Sequence, residues 1–186
     1  MRDDYLRHGD RSRPERLIGI SWRGGAKGNR IQQKSIQADQ FASLLVDCPG
    51  VRFVSLQYGK AAPTVDQWRK QGVDVIHDPR VDPLKQMDLW LAQVAACDAV
   101  LSVANTTIHG AGGLGLPTMC LLSLHSDWRW LNDPSVGRSY WYPSVGIARE
   151  DRRVGWQQAF AKARDWLRDG CPMPEGPVGI TAKDVS

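Results

Sequence analysis

Short apolar runs recur along the chain, separated by segments whose apolar residues fall three or four positions apart. "RLIGISW" (16–22), "VRFVSLQ" (51–57), "VDVIH" (73–77), "DAVLSVA" (98–104), "TMCLLS" (118–123) and "VGIARE" (145–150) read as strands. Between them the spacing turns helical. Phe41, Leu44 and Leu45 follow Ser35, read as an N-cap, and "CPG" ends that helix. Trp68 marks a short helix between the second and third strands. Leu84, Met87, Leu91, Val94 and Ala95 mark a face that starts from Asp82 and Pro83, and Trp156, Ala159, Phe160, Ala163, Trp166 and Leu167 define the last helix. Trp68, Trp90, Trp156 and Trp166 fall on these helical faces and read as core.

Strands that are apolar throughout and alternate with helices imply a parallel sheet covered on both faces, a Rossmann-like α/β domain. The length of 186 residues suits one such domain with its own core. The domain is expected to span 16–169, after a mobile polar lead (1–15) and before a mobile Pro/Gly-rich tail (170–186). A sheet of this kind binds ligands beyond the carboxyl ends of its strands.

The net charge of +4 narrows the choice of ligand once its location is known. Residues 1–16 carry +1, residues 17–35 carry +4 from Arg23, Lys27, Arg30 and Lys34 with no acid, and the remainder carries −1. A local cluster suits one small anion or is a solvated loop, whereas nucleic acid asks for a long basic stripe, so no nucleic-acid partner is expected. Cys48, Cys97, Cys120 and Cys171 show no metal or disulfide spacing, which fits a reduced cytoplasm and no bound metal. No uncharged apolar run approaches a membrane span, and "MRDDYLRHGDRSRPER" has no signal-like apolar region.

In "VANTTIHGAGGLGLP" the fourth strand ends near Ala104 and a helix is expected from Thr106, with Gly110, Gly112 and Gly113 allowing close approach to neighbouring backbone. Its first-turn amides and dipole would meet an anion, with the Thr106 and Thr107 hydroxyls and His109 facing the same space. Equally, Asn105 or Thr106 caps the helix and His109 belongs to the core. Both readings stay open on the residues alone.

"LIGISWRG", "VRFVSLQYG", "CDAVLSVANTTIHGAGGLGLPTMCLLS", "DWRWL", "YWYPS" and "GWQQAFAKARDWL" occur in an order that resembles the carboxyl-terminal half of heptosyltransferase-like glycosyltransferases, nearest the bacterial members fused behind tetratricopeptide repeats. The resemblance covers about residues 16–168. It implies one half of a GT-B architecture, the half that holds a nucleoside-diphosphate sugar as donor substrate without metal or other cofactor. It places Asn105, Thr106, Thr107 and His109 at the donor diphosphate, with Ser21, Arg30 and Lys34 facing the same phosphates and Gln57 near the nucleoside. Heptosyltransferases usually carry Asp-Thr where this chain has Ala104-Asn105, so the sugar, hexose or heptose, is left open.

Eight tryptophans are many for this length, and Trp128, Arg129, Trp130, Tyr140, Trp141 and Tyr142 crowd into one loop. Sugars stack on aromatic rings and arginine binds phosphate in a fork, so Trp128, Arg129 and Trp130 read as a donor lid or as a loop pinned to the core. Inverting members of the family take their general base from the amino-terminal half, so no general base is expected among residues 16–168; Asp78 and Asp82 read as structural. The resemblance thus implies a donor-binding domain that needs a separate amino-terminal half or a tetratricopeptide-repeat partner. The alternative is a non-catalytic nucleotide-binding or partner-binding module on the same scaffold, and a non-hydrolysing sugar epimerase would need carboxylates not evident here.

Overall fold

The computed structural model describes residues 1–8, 14–25, 30–131, 133 and 135–175. Six parallel strands form one sheet: β1 (Arg16–Ser21), β2 (Val51–Ser55), β3 (Val75–Ile76), β4 (Ala99–Val103), β5 (Thr118–Leu122) and β6 (Val145–Arg149), in the order β3-β2-β1-β4-β5-β6. The helices are α1 (Arg2–Arg7), α2 (Arg30–Gln33), α3 (Ala38–Ala42), α4 (Ala62–Lys70), α5 (Met87–Ala95), α6 (Thr106–Gly113) and α7 (Gln157–Arg168), with a 3₁₀ turn at Trp128–Trp130. Strand order reverses between β1 and β4, where Ser21 lies beside Ser102. A crevice opens at such a reversal because the flanking connections leave in opposite directions.

The apolar strands bury both faces, as the sequence pattern requires. Ile18, Ile20, Phe53, Leu101 and Leu121 meet Phe41 of α3, Val65 and Trp68 of α4, and Phe160 and Ala163 of α7. On the other face Leu17, Val54 and Val100 meet Tyr5 of α1, Trp90 and Val94 of α5, and Ala111 of α6. Ile108, Cys120, Leu122, Trp130, Val145 and Ile147 extend that second layer towards β6. The cysteines are free, and burial raises their thiol pKa values, to about 12 for Cys97 and Cys171.

The expected mobile lead is corrected in its first part: Arg2–Arg7 is a helix, and Tyr5 and Leu6 are buried. The reason lies in β2, where the Arg52 side chain is almost wholly buried and needs acceptors. It donates to the Tyr5 carbonyl at 2.7 Å and to the Asp74 carboxylate at 3.0 Å, so α1 supplies the carbonyl that lets the guanidinium stay inside. The Tyr5 hydroxyl donates to Asp78 at 2.8 Å and accepts from Gln93 at 3.0 Å. The start of the tail is also packed: Cys171 is buried and Trp166 Nε1 donates to the Pro172 carbonyl at 2.9 Å, while residues 176–186 lie outside the described residues.

Three local expectations shift. Ser35 does not cap α3, whose N-cap is Gln37; its hydroxyl instead accepts from the Gly24 amide at 2.9 Å. The helix expected from Asp82 begins at Met87, because Asp82 accepts from the Leu84 amide in a separate turn and Gln86 is non-helical; Leu84 and Met87 are exposed. The third strand contracts from 73–77 to Val75–Ile76, paired only on its β2 side.

Candidate functional site

The carboxyl ends of β1, β2 and β4 are joined by side chains from all three. Ser21, the last residue of β1, donates its hydroxyl to Gln57 Oε1 at 3.0 Å. The same oxygen accepts from the Trp22 and Arg23 amides at 3.0 and 2.8 Å. Asn105 completes the junction: Nδ2 donates to Ser21 Oγ at 2.7 Å and to the Arg23 carbonyl at 2.9 Å. Its Oδ1 accepts from the Thr107 amide at 2.8 Å and from Ser102 Oγ at 3.2 Å. Ser21, Gln57 and Asn105 are all buried, so these three clamp the exit of β1 to the start of α6.

That clamp leaves the threonines uncommitted. Asn105 is the N-cap of α6, as one of the two sequence readings has it. Thr106 is exposed, Thr107 is buried, and neither hydroxyl has a hydrogen-bond partner among the described residues. The glycines admit rings rather than backbone. A Cβ on Gly110 would lie 2.8 Å from Trp90, and one on Gly112 would lie 2.5 Å from Tyr142, whereas Gly113 faces open space.

The basic loop reaches the aromatic loop through Asp127, which the sequence pattern did not single out. Its carboxylate takes Lys34 Nζ at 3.5 Å and Arg129 Nη2 at 2.9 Å, and its Oδ1 accepts from the Arg129 amide to start the 3₁₀ turn. The Asp-x-Arg spacing ahead of Trp130 is a capping pattern that a closer reading of "SDWRW" would have flagged. Arg30 opens α2, and Lys27 lies outside the described residues.

The lid reading divides. Trp128 and Arg129 rim a cleft of about 500 Å³ shared with His109, Trp141 and Tyr142. Trp130 is instead buried beneath His109, with ring centroids 6.1 Å apart, because its apolar ring completes the layer on β5 and β6. Trp128 and Trp141 meet edge to face at 6.2 Å, and Trp141 Nε1 donates to the Arg129 carbonyl at 3.1 Å. His109 Nδ1 lies 3.1 Å from the Tyr142 hydroxyl. Burial first, and then the Arg129 charge, lower the His109 pKa, so the ring is neutral at pH 7. Asp78 and Asp82 stand away from this cleft, Asp78 bound to Tyr5 and Arg80 and Asp82 in its own turn.

No protein-family model matches the chain. A solved glycosyl transferase of family 9 from Veillonella parvula superimposes over 79% of this chain with a TM-score of 0.53 at 14% identity. That likeness shows the fold, a Rossmann-like α/β domain built on a six-stranded parallel sheet. Protein FlbA of Caulobacter vibrioides is 28% identical over 159 residues. The chain spans about a quarter of FlbA, 26%, and 38% of the Veillonella chain. Among the described residues no helix is long and apolar enough to cross a membrane, and no group of three His, Cys, Asp or Glu side chains is placed to hold a metal ion.

Proposed function

We propose that this chain binds the nucleotide-sugar donor of a metal-independent, inverting glycosyltransferase and works with a separate acceptor-binding half that supplies the general base. The donor carries a hexose or heptose, and the second half belongs to a longer protein or to a partner, including one that bears tetratricopeptide repeats. The observation that carries the reading is the clamp of Ser21, Gln57 and Asn105. It fixes the first turn of α6, with its two uncommitted threonine hydroxyls, between the basic loop and the aromatic cleft. A diphosphate there would take the Thr106 and Thr107 hydroxyls and Lys34, a sugar would stack on Trp128 or Trp141, and Gln57 would act by holding the loop rather than by touching the nucleoside.

A non-catalytic module remains the second reading, favoured by one observation: Asp127 already pairs with Lys34 and Arg129, the cations a diphosphate would seek. Thermal shifts with a nucleoside diphosphate and with its nucleoside, no metal added, separate the two. The donor reading expects the diphosphate to stabilise more, by about 2.7 kcal/mol at 100 times its Kd. It also expects Thr107→Ala to weaken that ligand by roughly 1.5 to 3 kcal/mol, with little change in the melting point of the free protein. Equal shifts for nucleoside and diphosphate would remove the phosphate site, and sugar transfer by the chain alone would remove the need for a second half.

A further inference from the structure

A second cleft, about 740 Å³, opens at the carboxyl ends of β5 and β6, between β6 and the start of α7. Four cations line it, Arg149, Arg152, Arg153 and Lys162, against two carboxylates, Glu150 and Asp151. Both carboxylates accept backbone hydrogen bonds at the cleft wall, Glu150 from the Leu124 amide at 3.1 Å and Asp151 from the Arg153 and Val154 amides at 2.7 and 3.1 Å, so the lining keeps a net charge of +2. None of the four cations has an ion-pair partner among the described residues. Lys162 Nζ donates to the Ile147 carbonyl at 2.8 Å and Arg149 Nη2 to the Trp130 carbonyl at 2.7 Å, which leaves further protons on each group.

Two further features lie beside this cleft. The Arg149 Nε is buried with no hydrogen-bond partner, an uncommon state for a guanidinium nitrogen. The first turn of α7, from which Gln158 and Ala159 line the cleft, has no side-chain cap, so its amides and dipole favour an anion. Burial, and after it the Arg149 charge, lower the Lys162 pKa. The exposed Lys162 and the partly buried Arg149 repel each other at this cleft, and an oxyanion between them would relieve that repulsion.

We propose that this cleft is a phosphate-binding site, separate from the β1–α6 edge, that takes a small phosphate-bearing ligand between Lys162, Arg149 and the exposed Arg152 and Arg153. It does not depend on the donor reading, since it uses none of the residues of that site. The test is lysine acylation of the full chain followed by peptide mass spectrometry, with inorganic pyrophosphate as the probe. Pyrophosphate at about ten times its Kd should slow acylation of Lys162 about tenfold, whereas sodium chloride of matched ionic strength should not. In R152Q/R153Q, whose substitutions are exposed and leave the Asp151 backbone contacts in place, pyrophosphate affinity should fall about two- to thirtyfold. Thr107→Ala, at the other edge, should leave the protection of Lys162 unchanged. The proposal fails if chloride protects Lys162 equally, if R152Q/R153Q is protected like the parent, or if Thr107→Ala abolishes the protection.

Discussion

Asn105→Ala is the most direct test of the clamp at the strand reversal. The side chain makes four hydrogen bonds, two accepted by Oδ1 and two donated by Nδ2. Losing the cap on the Thr107 amide costs about 1 kcal/mol. Losing the donors to Ser21 Oγ and the Arg23 carbonyl costs about 1 kcal/mol each, because both acceptors lie where water reaches them poorly. The sum of about 3 kcal/mol corresponds to a melting point lower by about 6 to 12 °C for a domain of this size. Asn105→Asp separates the terms: it keeps the cap, but the new carboxylate faces the Arg23 carbonyl and a Ser21 hydroxyl whose proton already goes to Gln57. Urea denaturation followed by tryptophan fluorescence measures both variants. If Asn105→Ala stays within about 0.5 kcal/mol of the parent, or if Asn105→Asp matches the parent, the clamp does not hold the edge together as described.

Asp127→Asn should keep the cap on the Arg129 amide while freeing Lys34 and Arg129, so diphosphate affinity should rise, by an amount that shrinks with added salt; calorimetry at two ionic strengths reads this, and a fall in affinity would argue against the donor reading. Gly112→Ala would drive a methyl into the Tyr142 ring and should cost about 1 to 3 kcal/mol in chemical denaturation, with displacement of Tyr142 from His109 visible in the His109 ring resonances. The Arg80 hydrogen bonds first, and also that from Tyr5, outweigh burial and hold the Asp78 pKa at about 2, against an ordinary 3.8. Its contribution is therefore complete above about pH 4 and is lost as pH falls towards 2, so Asp78→Asn should flatten the acid limb of the stability profile. The lowered His109 pKa has the same sign: its contribution is present above pH 6.5 and is lost as acid protonates the partly buried ring, so His109→Gln should reduce the loss of stability as pH falls below 6.5.

The sheet was legible because its strands are apolar throughout, and five of the six extend close to the predicted runs. The third failed since "VDVIH" carries its polar residues at positions where only tertiary pairing decides where a strand stops. Helix α1 could not be read from "RDDYLR": two buried side chains in six give little periodicity, and its partners Arg52 and Asp78 lie 47 and 73 residues away. A buried arginine inside "VRFVS" was the available signal, since such a group demands acceptors from somewhere. The segments read as a site do meet at one sheet edge, but how their side chains pair was not legible in the sequence. Gln57 and Ser21 bind each other rather than solvent, a fact carried by a contact across 36 residues. The aromatic loop was recognised by composition alone, which cannot say that Trp130 turns inward while Trp141 stays at the rim.

The cysteines make the domain its own reporter of motion. Thiol reagents attack the thiolate, and burial, which pushes the Cys97 and Cys171 thiols up to about 12, leaves very little of that form at pH 7 while the protein is folded. Modification therefore waits for an opening event that exposes the sulfur. Cys97 sits in the layer that α1 and α5 cover, Cys120 within β5, and Cys171 beyond the end of α7. The three labelling rates, read by mass from one sample, would time the loosening of the amino-terminal helix, the β5–β6 side of the sheet and the carboxyl-terminal helix separately.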